Sequence, residues 1–402
     1  MRQGRTSVQS VRSCPVDFDL SDDQQALVAA AAALLESRAT TDAVRKVADS
    51  PGHIDRSLWA EMAEQGWLAV ERNEEAGGLG LGFVEVAVLC EQIGAHLAPV
   101  PYAGSVIALH AVGANSDELD EMAERLSTGD AIGAVSWTRR PDQVVAEHSG
   151  ESWVLTGRPD PVVFGPVADV VIVPAEIRGS PGERELFVLE RMPESVRVTQ
   201  PAMDLTRSLG WLELDRAPAV RLTGAPETAE TGDTAETAET ASANSITFDS
   251  LADRASVAVS AEMLGAAQRV LDMTVQYAKD RVQFGRPIGS FQAIKHRCAD
   301  MLVDVEGMRS AVYYAAWCIE AGSPDASSAA SAAKIWCSQA ASRVMASGLQ
   351  VHGGIGFTWE HDMHLFVKRS QLDQVSFGDT SWHHDRLAVM LRRLAEAGLP
   401  VM

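Results

Sequence analysis

Apolar positions change their spacing along this chain, and each change marks a part of the fold. From residue 17 to about 125 they recur at helical intervals. Ser21-Asp-Asp-Gln24 has the form of a capping box before an Ala/Leu run. Leu58, Met62 and Ala63 share one face between Asp55 and Ala69, and that helix is expected to stop at Gly66. Asn73-Glu-Glu-Ala-Gly-Gly-Leu-Gly-Leu-Gly82 leads into a further helix over Phe83 to Gly94. No strand precedes these glycines and no Lys-Ser/Thr follows, so they read as a turn rather than a phosphate loop. Between 130 and 225 the runs become short and β-type: Ala131 to Trp137, Trp153 to Thr156, Val170 to Val173, Leu186 to Leu189 and Trp211 to Leu214. Their separation by Gly, Pro and charged residues predicts an antiparallel barrel or sandwich. Residues 225–245 repeat Thr, Ala and Glu without an apolar period, which predicts a flexible acidic linker. The remainder is helical and Ala-rich, with small residues that allow close helix packing.

The expected fold is therefore α+β, with helices, strands and helices in that order. Residues 1–16 form a disordered tail, 17–129 an N-terminal helical domain, 130–224 a middle β domain, 225–245 the linker and 246–402 a C-terminal four-helix bundle.

Composition narrows the function classes. A chain of 402 residues with 46% hydrophobic and 22% charged residues can bury a large core in two or three domains. Its net charge of −21 argues against nucleic acid or an anionic membrane surface as partner, although part of that charge lies in 225–245. The longest apolar run, Ala26 to Leu35, is too short to span a bilayer. Arg2, Arg5 and Arg12 precede no apolar core, so no secretory signal is expected. Cys14, Cys90, Cys298, Cys318 and Cys337 are scattered without a CxxC pair, which predicts reduced thiols in the cytoplasm and no metal site.

The candidate chemistry starts at Arg281-Val-Gln-Phe-Gly-Arg-Pro-Ile-Gly-Ser-Phe-Gln292, set between two helical runs. Gly285 and Pro287 break the period. A turn that opens a helix offers free backbone N–H groups, and an arginine adds a bidentate cationic fork. That combination suits a pyrophosphate. It equally suits a packing corner with Arg281 in solvent.

Tyr277-Ala-Lys-Asp-Arg-Val-Gln-Phe-Gly-Arg-Pro-Ile-Gly-Ser-Phe-Gln-Ala-Ile-Lys-His296 closely resembles a signature of the acyl-CoA dehydrogenase family. Gln350-Val-His-Gly-Gly-Ile-Gly-Phe357 resembles a second motif of that family, in the same order. The resemblance implies FAD as cofactor and α,β-dehydrogenation of an acyl-CoA thioester. By resemblance, Arg281, Phe284 and Gln292 contact the adenine-nucleotide half of FAD, with Gln350, Gly353 and Gly354 in the second motif and Thr380 as a further contact. In the family these residues reach into FAD held mainly by a neighbouring subunit, which implies an oligomer. An electron-transfer flavoprotein is the acceptor that the resemblance implies.

Other family features are missing. The glycine-rich loop that cradles the flavin ring after the first strand is replaced by Thr138-Arg-Arg-Pro-Asp-Gln143, and the later ring-contacting segment by Asp160-Pro-Val-Val-Phe164. The usual basic Glu aligns with Gly378 in Phe377-Gly-Asp-Thr380. Asp379 is one candidate base, or else a cap on the next helix. Some relatives carry the base on the first helix of the C-terminal bundle, where Ala255 stands here; Glu262, two turns on, is the other candidate. The family's arginine on that helix aligns with Ser256, two residues after Arg254. Arg139 and Arg140, and the pair His383-His384, read as surface features. The losses fall on this chain's own ring cradle and substrate cleft, while the clamp for a neighbour's FAD is kept. Three readings follow: the clamp-bearing partner in a mixed oligomer with a second acyl-CoA dehydrogenase subunit, a self-sufficient homo-oligomer using Asp379 or Glu262, and a flavin-free scaffold or CoA-binding protein.

Overall fold

The computed structural model describes residues 20–50, 52–113, 119–150, 152–190, 197–199, 202–222 and 246–398. The expected tail (1–16) and linker (225–245) lie outside the described residues. Helices come first, then strands, then helices, as the apolar spacing predicts. Ser21 caps α1 (Asp22–Arg38) reciprocally: its hydroxyl accepts from Gln24 N–H at 3.2 Å, and Gln24 Oε1 accepts from Ser21 N–H at 3.0 Å. Short α2 (Thr41–Ala48) is followed by α3 (Arg56–Glu64), capped by Asp55. The chain leaves α3 through Gly66, whose φ of 77° only glycine adopts at little cost. The buried helices α4 (Phe83–His96) and α5 (Tyr102–Gly113), then α6 (Asp120–Ser127), complete this part.

The middle part holds β1 (Gly133–Val135), β2 (Val144–Ser149), β3 (Ser152–Gly157), β4 (Val162–Val163), β5 (Val170–Ile177), β6 (Arg184–Glu190), β7 (Arg197–Thr199), β8 (Leu209–Leu212) and β9 (Leu214–Arg221). The main sheet runs β1-β5-β2-β3-β9-β6, and β6 pairs back onto β5, so it closes into a small barrel. One feature departs from the expected antiparallel arrangement: β1 and β2 both run parallel to β5. Parallel pairing needs a long crossover, and the intervening β3, β4 and their loops supply it. Strand β2 escapes a reading by hydrophobic runs because only Val144, Val145 and Ala146 are apolar in it. Most of β9 escapes for a similar reason, with Pro218 and arginines along its length.

The C-terminal part consists of α7 (Phe248–Asp280), α8 (Gln292–Glu320), α9 (Ala326–His352), α10 (Met363–Val375) and α11 (Thr380–Glu396). Helices α7, α8 and α9 pack along their alanine faces. Helix α4 crosses α7 where Gly94 lies on the Glu262 backbone and Gly265 on the Glu91 backbone; a Cβ at either glycine would collide with main chain. That crossing joins the N-terminal helices and the C-terminal bundle into one core. No helix among the described residues is long and apolar enough to cross a membrane.

Candidate functional site

Six of the seven clamp residues lie at the ends of α7 and α9 and the start of α8. Helix α7 stops at Arg281, which turns to extended backbone. Two-residue strands β10 (Val282–Gln283) and β11 (Arg286–Pro287) then pair around Phe284 and Gly285, with φ of 54° and 76°. Positive φ at both central residues is the type I′ hairpin geometry. Phe284 is strained there and stands 91% exposed. Its neighbours steady the tip: Phe291 meets the Phe284 ring edge-on at 6.1 Å, and Arg286 lies 4.1 Å over Phe291. Helix α8 begins at Gln292, exposed, with no side chain capping its first N–H groups. At the end of α9, Gly353 takes φ 63°, and neither it nor Gly354 has any heavy atom within 4 Å of where a Cβ would stand. Gln350 is exposed beside them. Tyr277 and His352 stack at 4.6 Å and so tie the end of α7 to the end of α9. Val282, Ile355, Phe357 and Trp359 leave apolar surface around this patch.

Thr380 belongs to a different constellation. It opens α11, half-buried, next to the β domain. Here the segments that would cradle a flavin ring and present a base touch one another. Trp137, just beyond β1, packs against Phe248 at 5.2 Å, Trp382 at 4.9 Å and Phe377 at 6.3 Å. Arg139 pairs with Asp379 at 2.9 Å. Asp379 also caps α11 by accepting from Trp382 N–H at 2.9 Å. That backbone bond, and Arg139 after it, hold the Asp379 carboxyl below its usual range. Gly378 has φ 94° and is buried, and a Cβ there would meet the Trp382 ring at 2.8 Å. Lys334, fully buried, donates to the carbonyls of Gln374 (2.9 Å) and Gly378 (3.0 Å), fixing the turn; burial pulls its pKa down to about 8. His383 is not a surface residue: it is buried against Phe377 O at 3.1 Å, and burial, with Lys334 nearby, lowers its pKa to about 3. His384 is exposed.

Glu262 is the counter-ion of two buried arginines. It pairs with Arg207 and lies 3.7 Å from Arg369 Nη1. Arg369 in turn donates to Asp204 at 2.8 Å, and Asp204 accepts from Thr206 N–H at 2.9 Å. Asp373 sits 3.9 Å from Arg207. Burial raises the Asp373 pKa and lowers that of Arg207 to about 10. Burial would also raise Asp204, but Arg369 and Thr206 outweigh it and the net shift is down. Ala255 is buried in the core and offers no polar group; Ser256 donates to Ala252 O at 2.6 Å.

A cavity of about 930 Å³ lies between α4, α5 and α6 on one side and the start of α7 on the other. Arg254 borders it, held by both Glu71 oxygens at 2.8 and 2.9 Å, as does Asp253, bonded to Ser327 and Arg386. Neither this space nor the buried ion cluster has a local motif. Both are assembled from distant segments, so no local run of residues marks them.

Comparison with known proteins adds two family matches. Residues 21–118 match the acyl-CoA dehydrogenase N-terminal domain, and 251–391 the acyl-CoA dehydrogenase C-terminal domain. The chain is 35% identical over 355 residues to acyl-CoA dehydrogenase IpdE2 of Mycolicibacterium smegmatis, covering 87% of this chain and 93% of that one. It is 30% identical over 397 residues to acyl-CoA dehydrogenase FadE27 of Mycobacterium tuberculosis, covering 95% and 99%. Among solved structures it superposes on the ChsE4-ChsE5 complex from Mycobacterium tuberculosis with a TM-score of 0.81 and 29% identity, covering 95% of this chain and 99% of the matched chain. It superposes on a point variant of the steroid acyl-CoA dehydrogenase Tcur3481-Tcur3483 with a TM-score of 0.83 and 27% identity, covering 93% and 99%.

Proposed function

The chain belongs to the acyl-CoA dehydrogenase family, and from that premise we propose that it is the clamp-bearing subunit of a hetero-oligomeric, FAD-dependent acyl-CoA dehydrogenase. The observation that carries this reading is the contact of Trp137 and Arg139 with Phe377, Asp379 and Trp382. A flavin ring would have to lie between those two segments, and here side chains fill the gap.

The clamp fits the other end of the cofactor. Gly353 and Gly354 leave an open backbone surface that a Cβ would obstruct, and the uncapped start of α8 offers N–H groups beside Arg281. These residues would hold the ADP part of FAD whose ring is seated in the partner subunit. When bound, FAD supplies the hydride acceptor for the substrate Cβ, while a carboxylate takes the α-proton. This chain's part is to bind and orient the nucleotide. Asp379 and Glu262 are both engaged, the first as a helix cap and the second as a counter-ion, so the base is assigned to the partner. ChsE4-ChsE5 is a complex of two chains, and Tcur3481-Tcur3483 is a steroid acyl-CoA dehydrogenase named for a pair; both support a paired enzyme acting on a bulky acyl group here. An electron-transfer flavoprotein is the proposed acceptor, and the cytoplasm the proposed location.

The deciding experiment is a visible spectrum, native mass and acyl-CoA oxidation assay. It is run on the chain alone and after co-expression with a second acyl-CoA dehydrogenase subunit. Flavin and turnover are expected only in the co-expressed complex. Stoichiometric flavin and turnover in the chain alone would favour the homo-oligomer, and a colourless complex the flavin-free scaffold.

A further inference from the structure

The two halves of the clamp hang from different helices, and something must fix the gap between them. The hairpin with Arg281 and Phe284 follows α7, and the open backbone of Gly353 and Gly354 follows α9. Helices α7 and α9 pack tightly at Gly348, where a Cβ would stand 2.7 Å from Val270 and 3.2 Å from Thr274. One turn nearer the clamp, the Tyr277 and His352 rings stack at 4.6 Å with their planes 23° apart. His352 is buried, and its Nδ1 donates to Gly348 O at 2.8 Å, which fixes the rotation of the ring. A third ring completes the group: His361 meets His352 at 4.6 Å with the planes 63° apart. His361 is itself held in place. Its Nδ1 accepts from Met363 N–H at 3.2 Å, its carbonyl accepts from Arg45 at 3.4 Å, and Arg45 pairs with Asp362 at 3.0 Å. So α7, α9 and the turn before α10 meet through three rings. Tyr277 leads directly to Arg281 through the last turn of α7, and His352 adjoins Gly353.

We infer that Tyr277, His352 and His361 are positioning residues: their stack sets the spacing between the Arg281 hairpin and the Gly353–Gly354 surface, and so sets how tightly the complex holds flavin. The inference rests on the reading of the chain as a clamp-bearing subunit. Arg281 to Pro287 are all exposed, so little packing of their own places them, and their position is inherited from the end of α7. A group gripped from two sides binds tightly only when both sets of donors already stand at its width, because ordering them on binding costs free energy. Aromatic rings suit that task, being rigid and having few rotatable bonds. The link between the helix ends is a ring contact, not an ion pair, so a substitute must keep the shape of the ring and not its charge.

The test has two arms. In the first, the full chain alone is followed by amide hydrogen exchange. His352→Ala should speed exchange about tenfold or more in residues 282–288 and 353–357 alike, whereas His352→Phe should exchange like the native chain. In the second, the flavin-stripped complex with the second subunit is titrated with FAD. His352→Ala and Tyr277→Ala should each weaken binding about tenfold, as expected when one charge-assisted bond to phosphate is held out of place. His352→Phe and Tyr277→Phe should stay within about threefold of native. Adding His352→Ala to Arg281→Ala should weaken binding little further, because no spacing is left to set; a merely structural loss would add in full. Tyr277→Ala, at a half-buried position, serves both arms if His352→Ala does not fold. Faster exchange in one segment only, a Phe variant as weak as its Ala counterpart, or additive losses would each overturn the inference. A native complex that takes up no FAD would sink the proposed function, and the exchange arm would then decide this inference by itself. Equal FAD affinity in the native and His352→Ala complexes would sink this inference alone.

Discussion

Arg139 Nη2 and Asp379 Oδ2 lie 2.9 Å apart, joining the end of β1 to the start of α11, while Asp379 Oδ1 accepts from Trp382 N–H at 2.9 Å. Both carboxylate oxygens are therefore engaged, and the lowered pKa makes Asp379 a weak proton acceptor. Asp379→Asn keeps an N-cap and removes the charge. It should leave turnover of the co-expressed complex unchanged, whereas Asp379→Ala should cost about 1 kcal/mol in urea unfolding. A large loss of turnover in Asp379→Asn, with flavin retained, would make Asp379 the base after all.

Restoring the family's glutamate should not restore chemistry. Gly378 sits at φ 94° with the Trp382 ring and His383 against it, and Lys334 grips its carbonyl. Gly378→Glu is expected to destabilise the chain by about 2 kcal/mol or more, from backbone strain and overpacking together. The isolated variant should remain without oxidising activity. Turnover in that variant would show that the turn can open.

The clamp makes the opposite kind of prediction. Phe284 is 91% exposed and Arg281 lies in the exposed hairpin, so neither supports the core. Phe284→Ala and Arg281→Ala should leave the unfolding midpoint of the chain within about 0.5 kcal/mol of the native value. In the co-expressed complex, Arg281→Ala should weaken flavin retention by about tenfold or more, since a charge-assisted bond to phosphate is lost. Full flavin in both variants after dialysis would show that the hairpin does not hold the nucleotide.

Glu262 tests the other candidate base. It is buried with Arg207 and Arg369, and its removal leaves Arg207 with Asp373 alone, 3.9 Å away, while Arg369 keeps Asp204. Glu262→Ala should cost about 3–5 kcal/mol of stability. Glu262→Gln keeps the shape and should cost less, with turnover per folded complex unchanged. Loss of turnover in a folded, flavin-loaded Glu262→Gln complex would be evidence for a catalytic role.

Local signals carried much of this fold. The Ser21–Gln24 cap, the stop at Gly66 and the hairpin after Arg281 all depend on residues within a few positions of one another, so they can be read from the chain. Strand β2 could not, because its place in the barrel comes from pairing with β3 and β5 rather than from its own apolar content. The site divides in the same way. Gly353 and Gly354 announce an open backbone. His383 looks like one of a surface pair until the Phe377 turn folds over it, and the cavity beside His110 exists only once α4, α5, α6 and α7 converge.

Buried neutral histidines set the acid side of the stability curve. His383 has its pKa lowered from 6.5 to about 3, by burial first and Lys334 second. The unfolded chain protonates this ring below pH 6.5 while the folded chain does not. Its contribution is therefore complete above that value and is lost as pH falls through the window down to about 3, by about 1.4 kcal/mol per pH unit. His110, also lowered to about 3, acts in the same direction. Asp253 and Asp373, raised by burial, act the other way, so the native curve alone mixes both effects. The difference between native chain and His383→Gln isolates one ring. Urea unfolding between pH 7 and 5 should show the native chain losing about 2 kcal/mol relative to the variant across that span. Parallel curves would mean that His383 takes up its proton alike in the folded and unfolded chain, and the tight turn held by Lys334 would then need a different electrostatic account.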